Sequence, residues 1–182
     1  MISNEAKNKI LDNPFNPDMI DLFIDQSEDN RYLGIQKINY VRSFNDFAND
    51  KMDEQMKILI PKEGRWHFEF FHSSSNVLHH TDKIEGNNGG LGCIIPLRWD
   101  GQNPATIMYN YWEYDKRIMY AGDNRCVYSE TNEIVDLDLS TLKEELVFEW
   151  DPHKIFVFDV YQLHSARKFE NAWKDFLIGF LV

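Results

Sequence analysis

Two residues of metal-binding type stand two positions apart at His80-Thr81-Asp82, directly before the stretch KIEGNNGG. In an extended segment, side chains at positions i and i+2 point to the same face, so His80 and Asp82 could bind one ion together. Two imidazoles and one carboxylate bind Fe(II) and leave three adjacent coordination positions open, as oxygen chemistry requires. A His-x-Asp step is short enough to occur by chance, so it predicts a metal site only if a third ligand exists.

His164 is the best candidate for the third ligand. It ends the long apolar stretch KIFVFDVYQLH, which is typical of a buried strand. A histidine in this place could also be a structural residue that is hydrogen-bonded to backbone. The order of the two signals along the chain, with predicted strands between them, favours a metal ligand.

The other histidines are weaker candidates. His67-x-Glu69 repeats the spacing of His80 and Asp82, but it lies inside the apolar segment RWHFEFF, where a structural histidine is the better interpretation. His72 and His79 are interpreted as packing or solvent-facing groups. His153, in the turn DPHK, is predicted to be exposed.

The composition predicts an acidic, folded protein. The 182 residues include 30 acidic and 19 basic side chains, and the net charge is −11. Binders of phosphate backbones usually have a basic face, so a nucleic-acid partner is not expected. The apolar fraction of 43% predicts a folded core, and the length fits a single domain over residues 1–182.

The chain shows no signal for a membrane or a disulfide framework. No apolar stretch approaches the length of a bilayer span, and the N-terminus lacks the apolar region of a signal peptide. Cys93 and Cys126 have no metal-binding spacing. We therefore expect no membrane partner and a cytoplasmic location.

The chain divides into two regions that differ in sequence pattern and in predicted secondary structure. Residues 1–60 are predicted to form a helical support region with one strand. This region comprises a broken helix over 5–26, a strand over 31–41, and a helix over 43–60 capped by Ser43. Residues 61–182 contain about eight short aromatic and β-branched segments with turn residues between them. The predicted fold is mainly β with flanking N-terminal helices, as a barrel or jelly roll.

With these positions, the sequence resembles the Fe(II)/2-oxoglutarate-dependent dioxygenases. That family has a His-x-Asp step, a distal histidine on a late strand, and a basic residue on the final strand. The corresponding residues here are His80, Asp82 and His164, followed by a basic residue near the C-terminus. The stretch DPHKIFVFDVYQLHSA is similar to the family's turn, apolar strand and distal histidine followed by small residues.

The resemblance covers about residues 65–182, and it implies a fold, a reaction and cofactors. The fold is a double-stranded β-helix made of two facing four-stranded antiparallel sheets. The cofactors are Fe(II), 2-oxoglutarate and O2, and the reaction is hydroxylation of a substrate with formation of succinate and CO2. The implied metal ligands are His80, Asp82 and His164.

A basic residue is expected to bind the 5-carboxylate of 2-oxoglutarate, and Lys174 is preferred over Arg167. Arg167 lies three positions after His164, an odd offset that reverses the face of a strand. Lys174 opens the final strand and shares a face with Phe176, Ile178 and Phe180. A lysine on such an apolar face needs an acidic partner.

Some alternatives stay open from the sequence. A cupin-type metal enzyme without 2-oxoglutarate would use the same barrel class, and a non-enzymatic jelly-roll binding module would use the histidines structurally. The substrate is expected to be a small molecule or to be amino-acid-like. Gly86–Gly90 is expected to belong to a mobile lid, with a plain hairpin connection as an equal alternative.

Overall fold

The computed structural model describes residues 8–25, 28–32, 40–74, 78–82, 90–167 and 173–182. These residues form two α-helices, α1 (Pro17–Asp25) and α2 (Asp46–Leu59), and a 3₁₀ helix at Leu139–Thr141. The strands are β1 (Lys9–Asp12), β2 (Glu28–Tyr32), β3 (Tyr40–Ser43), β4 (Trp66–Ser73), β5 (Leu91–Trp99), β6 (Ala105–Trp112), β7 (Ile118–Gly122), β8 (Arg125–Tyr128), β9 (Glu144–Glu149), β10 (Lys154–Asp159), β11 (Gln162–Ala166) and β12 (Lys174–Leu181).

The strands form antiparallel sheets. The larger sheet has the order β1-β10-β5-β12-β4-β3-β2, while β11-β6-β9 and the pair β7-β8 form smaller groups. His80 links the two smaller groups, because it forms single-residue bridges with His164 of β11 and with Met119 of β7. The prediction of a mainly β double-stranded β-helix is confirmed.

The sheets differ in width from the two four-stranded sheets that were expected. The four central strands of the larger sheet, β10-β5-β12-β4, match that expectation. Strands from the N-terminal third extend this sheet on both sides, with β1 at one edge and β3-β2 at the other. The N-terminal third therefore contributes to the sheet as well as to its helical cover.

The larger sheet is buried on both faces, which explains its nearly continuous apolar strands. One face packs against the helices, and this cluster includes Ile20, Phe23, Met52, Met56, Trp66, Phe68, Ile95, Val157, Leu177 and Leu181. The other face packs against the smaller sheet, and this cluster includes Ile94, Met108, Phe148, Trp150, Phe156, Phe158 and Phe176. Because strand side chains alternate, β12 sends Leu177 to the helices and Phe176 between the sheets.

Two glycines allow the aromatic rings to approach these strands closely. A Cβ atom added at Gly92 of β5 would lie 2.6 Å from Phe158 Cζ, and one at Gly179 of β12 would lie 2.5 Å from Phe68 Cε1. Any larger residue would displace a buried ring, so glycine is required at both positions.

The N-terminal third departs from the sequence prediction at several points. The segment expected to be a broken helix begins with β1, and α1 starts only at Pro17, because proline suits the first helical position. Two strands, β2 and β3, fall on the ends of the single strand expected over 31–41, and residues 33–39 lie outside the described part.

The predicted cap of the second helix is also wrong. The helix α2 begins at Asp46, and Asn45 is its N-cap, since the Asn45 side chain accepts a hydrogen bond from the Ala48 N–H at 2.9 Å. Ser43 belongs to β3, and its hydroxyl lies 3.3 Å from Glu69 Oε1. Among the described residues, no helix has both the length and the apolar character needed to cross a bilayer.

Candidate metal centre

The segment that carries His80 and Asp82 is held in place by backbone hydrogen bonds on both sides. The N–H of His80 donates to the His164 carbonyl and the N–H of His164 donates to the His80 carbonyl, both at 2.9 Å. Thr81 is fully buried, and its N–H and hydroxyl bond the carbonyl and N–H of Ile118 on β7. The N–H of Asp82 donates to the carbonyl of Val160. The segment is thus fixed between β11 and β7.

His164 reaches the same place from β11. The pairing of β11 with β6 shifts register between Gln162 and His164, and such bulges re-aim side chains. The reciprocal backbone pair puts the rings of His80 and His164 side by side, with centroids 4.2 Å apart. Two segments that are distant in sequence therefore present their imidazoles to one point.

Hydrogen bonds to backbone carbonyls select the tautomer of both rings. His80 Nδ1 lies 2.7 Å from the Leu78 carbonyl oxygen, and His164 Nδ1 lies 2.9 Å from the Gln162 carbonyl oxygen. A carbonyl only accepts, so each Nδ1 carries a hydrogen and the Nε2 lone pair of the neutral ring is left available. This arrangement is the one in which histidine binds a metal through Nε2.

Both Nε2 atoms face the Asp82 carboxylate. His80 Nε2 lies 3.3 Å from Asp82 Oδ1, and His164 Nε2 lies 3.1 Å from Asp82 Oδ2. The three ligand atoms that these residues offer lie within 4.8 Å of one another. In the described part of the chain, the buried Asp82 Oδ2 has no hydrogen-bond partner of good geometry.

The electrostatics of the cluster keep Asp82 ionised. Burial alone would raise the pKa of the Asp82 carboxyl, but the imidazoles of His164 and His80 outweigh burial and hold this pKa far below its usual range. Burial would lower the pKa of His164, but the Asp82 carboxylate raises it above the ordinary value. A divalent cation at this point would meet an ionised carboxylate and, with both rings neutral, two Nε2 lone pairs.

These residues fit a divalent metal. Two nitrogens and one oxygen converge, and the tautomers are set by backbone carbonyls. Among the described residues, the buried Asp82 Oδ2 has no hydrogen-bond partner of good geometry. A buried polar atom in that state is costly unless an ion or another donor satisfies it.

The cluster lies at a cavity of about 590 Å³ between the two sheets. Its wall is largely apolar, and it includes polar side chains from both sheets. The lining residues are Val41, Glu69, Phe71, Ser73, Leu78, His79, His80, Asp82, Ile94, Thr106, Arg117, Met119, Tyr120, Trp150, His164, Ser165, Ala166, Lys174, Phe176, Ile178 and Phe180. The volume suits a small ligand.

Lys174 lies in this cavity, on the face of β12 that the alternation predicted. It lines the wall together with Phe176, Ile178 and Phe180, and the residue is only 2% exposed. Its ammonium lies 5.0 Å from the centre of the Trp150 ring. Burial lowers the pKa of Lys174 to about 8.

Arg167, the second candidate for the same role, lies outside the cavity. Its guanidinium binds the Glu149 carboxylate through two contacts, at 2.8 Å and 2.5 Å. Both side chains of this ion pair are partly exposed to solvent. Arg167 is therefore a surface residue whose guanidinium is already paired with a carboxylate.

The remaining histidines are placed elsewhere, with one exception. His67 and His153 are exposed, and His72 binds the buried Asp175 carboxylate at 2.6 Å. His79 lines the cavity and packs on Tyr109, with ring centroids 5.0 Å apart.

Sequence reasoning missed several cavity residues because no pattern marks them. Arg117 directly precedes β7 and Met119 lies on it, and both line the cavity because β7 bridges to His80 through Met119. The Trp150 ring lies close to the Lys174 ammonium. The two residues are distant in sequence, because Trp150 directly follows β9 and Lys174 begins β12. The proposed lid falls mainly on residues 83–89, which lie outside the described residues.

Comparisons with known proteins find similarity in structure but not in sequence. No protein-family model and no curated protein sequence matches the chain. The fold is similar to a prolyl-4-hydroxylase from Pseudomonas putida, with a TM-score of 0.58 at 8% identity over 97% of this chain and 92% of that chain.

Two further solved structures show the same likeness. The epimerase SnoN, in complex with Fe3+, alpha-ketoglutarate and nogalamycin RO, matches with a TM-score of 0.62 at 10% identity, covering 97% of this chain and 79% of that chain. An oxidoreductase of the 2OG-Fe(II) oxygenase family from Burkholderia pseudomallei matches with a TM-score of 0.56 at 10% identity, covering 97% and 85%. The chain therefore has the fold of the Fe(II)/2-oxoglutarate-dependent oxygenases.

Proposed function

We propose that the protein is an Fe(II)/2-oxoglutarate-dependent oxygenase that hydroxylates a small-molecule or amino-acid-like substrate. The observation that carries this proposal is the convergence of His80, Asp82 and His164 at a cavity that also contains the buried Lys174. Two imidazoles and one carboxylate with open positions are the ligand set of non-haem Fe(II) oxygenases. The likeness to SnoN, whose structure contains Fe3+ and alpha-ketoglutarate, supports the same pair here.

The three ligand residues have distinct tasks in this proposal. His80 and His164 bind the ion through Nε2, because Nδ1 of each ring is bonded to a carbonyl. Asp82 supplies the negative charge and remains ionised beside the two rings. Fixed backbone partners hold all three before the ion arrives, so little reorganisation opposes binding.

Bound Fe(II) supplies the activation of O2 with 2-oxoglutarate as the reductant. The overall reaction would consume one O2 and one 2-oxoglutarate and would give a hydroxylated substrate, succinate and CO2. The role of the protein is to hold these partners in a dry, shaped cavity. Phe71, Ile94 and Phe176 give part of that cavity an apolar wall.

Lys174 binds the distal carboxylate of 2-oxoglutarate. Burial lowers the pKa of Lys174 to about 8, so its charged form is disfavoured by desolvation. A carboxylate in the cavity would compensate for that desolvation through a charge-assisted hydrogen bond. The packing of the Trp150 ring against the ammonium fixes the direction of the side chain.

Anaerobic titration tests the proposal directly. Purified protein is loaded with Fe(II), and 2-oxoglutarate is added in the absence of O2. Chelation of the ion by the keto and carboxylate oxygens is expected to produce a weak visible charge-transfer band. Admission of O2 should then yield succinate, and neither signal should appear with the His164→Ala variant.

Each negative result points to a different class of protein. Iron binding without the band and without succinate would contradict the role of 2-oxoglutarate and favour a cupin-type metal enzyme. Failure to bind any divalent metal would contradict the enzyme altogether and favour a jelly-roll binding module.

A further inference from the structure

Arg117 lies at the cavity beside the candidate metal centre, and the sequence analysis assigned it no role. It directly precedes β7 and lines the same cavity as His80, Asp82 and His164. Its backbone is fixed, because its N–H donates to the Glu130 carboxylate at 3.1 Å and its carbonyl accepts from Ser129 at 2.8 Å. The next residue, Ile118, is hydrogen-bonded to Thr81 of the metal-binding segment. Arg117 is thus held in a fixed relation to the candidate ligands.

The guanidinium of Arg117 has no acidic partner in the described part of the chain, although the protein is rich in acids. The sequence contains 30 acidic residues against 19 basic ones. Four other arginines of the described part have a carboxylate within ion-pair distance, namely Arg65, Arg98, Arg125 and Arg167. Arg117 differs from these in lining the cavity, where an anion from outside the protein could meet it.

Two apolar side chains that are partly exposed line the same cavity as Arg117. Met119 lies two residues further along β7, is 44% exposed and forms a bridge with His80. Leu78, whose carbonyl orients His80, is 47% exposed and also lines the cavity. An aliphatic group that rested on Met119 and Leu78 would therefore lie beside a metal ligand while an acidic end reached Arg117.

We propose that Arg117 binds a carboxylate of the substrate, so that the protein acts on a small organic acid whose aliphatic carbons contact Leu78 and Met119. This inference rests on the proposed oxygenase function and names the substrate class of the same site. A guanidinium matches a carboxylate through two parallel N–H···O bonds, and its charge complements a monoanion. Organic acids of this class include N-acylated amino acids and short fatty acids.

Matched acid and amide probes test the proposal. Hexanoate is compared with hexanamide, and N-acetyl-leucine with N-acetyl-leucinamide, because the members of each pair differ by one charge at nearly constant shape. Binding is measured by calorimetry and ligand-observed NMR, with Zn(II) and saturating 2-oxoglutarate present and again with the metal-free protein. At least one acid is expected to bind wild type about tenfold more tightly than its amide, as removal of a charge-assisted hydrogen bond predicts.

The variants separate a carboxylate site from a general electrostatic effect. In Arg117→Gln the acid and the amide of each pair should bind equally, whereas Arg117→Lys should keep part of the preference. Arg125→Gln is the matched control, since Arg125 lies in the same hairpin, pairs with Asp123 and is not among the cavity residues. It should leave the preference unchanged. The preference should also shrink as ionic strength rises, because the Arg117 side chain is exposed.

Three results would overturn the inference. The first is that no acid binds wild type more tightly than its amide, and the second is that Arg117→Gln keeps the preference. The third is that Arg117→Gln weakens 2-oxoglutarate as much as Lys174→Met does, because Arg117 would then bind the cosubstrate. If metal and 2-oxoglutarate fail to bind while the acid preference persists in the metal-free protein, the proposed function fails and the Arg117 site stands.

Discussion

His164 is the residue on which the metal proposal depends most strongly, because it alone comes from β11. Replacement of His164 by Ala should lower metal affinity by more than about 100-fold, which exceeds the effect typical of outer-sphere changes. The fold should persist, since the backbone bonds between residues 80 and 164 do not use the side chain. Metal content after dialysis and circular dichroism measure both outcomes. His67→Ala is the control, as His67 is exposed and outside the cavity, and equal metal content in the two variants would contradict the assignment.

Replacement of Lys174 and replacement of Arg167 should have different effects on the affinity for 2-oxoglutarate. Lys174→Ala should weaken 2-oxoglutarate binding by about 2–4 kcal/mol, because a buried carboxylate would lose its cation. Arg167→Ala should have no effect, since Arg167 binds Glu149 at the surface. Titration of the anaerobic Fe(II) protein measures both affinities, and metal binding should survive in each variant. A loss in Arg167→Ala alone would show that the strand faces are assigned wrongly.

The lowered pKa of Lys174 also predicts a dependence of stability on pH. The pKa is about 8 in the folded protein against an ordinary lysine value of 10.5. Between these two values the unfolded chain binds more protons than the folded one, so the free energy of unfolding rises with pH. Lys174→Met removes this contribution. Its stability advantage over the ligand-free wild type should be greatest below pH 8 and should decrease by up to about 3 kcal/mol by pH 10.5.

Urea unfolding at a series of pH values measures this difference. Lys62→Met, which removes a lysine that is exposed in the folded protein, serves as the control. A constant difference between Lys174→Met and wild type from pH 7 to pH 10 would contradict the burial of the ammonium.

The elements position the site through contacts that are not themselves part of it. The β3 strand pairs with residues 69–72 of β4 only, so the first half of β4 lacks a strand on that side. The helix α2 covers this gap with two buried side chains. Asp53 accepts from the Trp66 N–H, and Asn49 accepts from the Phe68 N–H, both at 2.9 Å. The helix thereby supplies hydrogen-bond acceptors to the first half of β4, the strand that pairs with β12.

Asn49→Ala should therefore destabilise the fold by about 2–3 kcal/mol, because the buried N–H of Phe68 would lose its acceptor. Asn49 also donates to the Phe44 carbonyl at 3.0 Å, and this bond would be lost as well. Lys51→Ala on the exposed face of the same helix should change stability by less than about 0.5 kcal/mol. Denaturant unfolding of the two variants tests the comparison. Equal changes in the two variants would show that the hydrogen bonds of Asn49 do not stabilise the edge of β4.

At the scale of the whole molecule, a bound metal would connect two distant parts of the chain. His80 and Asp82 lie before β5, whereas His164 lies on β11, and the strands between them, β5 to β10, contribute to both sheets. Binding to the folded state alone stabilises it by mass action. Mn(II) or Zn(II) at about 100 times its Kd should raise the free energy of unfolding by about 2.7 kcal/mol.

Thermal unfolding with and without chelator measures this stabilisation. The chelated protein should remain folded, because its apolar clusters do not depend on an ion. The metal should not raise the Tm of His164→Ala. A rise equal to that of wild type would place the binding site elsewhere.

Local patterns predicted the parts of the fold that depend on neighbours in sequence. The alternation on β12 placed Lys174, Phe176, Ile178 and Phe180 on one face, and all four line the cavity. The apolar run before His164 predicted one buried strand, but the structure has two buried strands there, β10 and β11, which belong to different sheets. Patterns failed where competing local signals were similar in strength. Ser43 and Asn45 are both good helix caps, and only the pairing of β3 with β4 assigns Ser43 to a strand.

By itself, the sequence determined the residue types that could bind a metal, the spacing of His80 and Asp82, and the face of the last strand. These properties follow from side-chain chemistry and from the two-residue period of a strand, which need no long-range contact. Only the tertiary structure decided that His80 pairs with His164, that Arg117 lies in the same cavity, and that Arg167 binds Glu149 instead. The physical reason is that hydrogen bonds between strands distant in sequence bring these residues together, and no local pattern encodes such pairing.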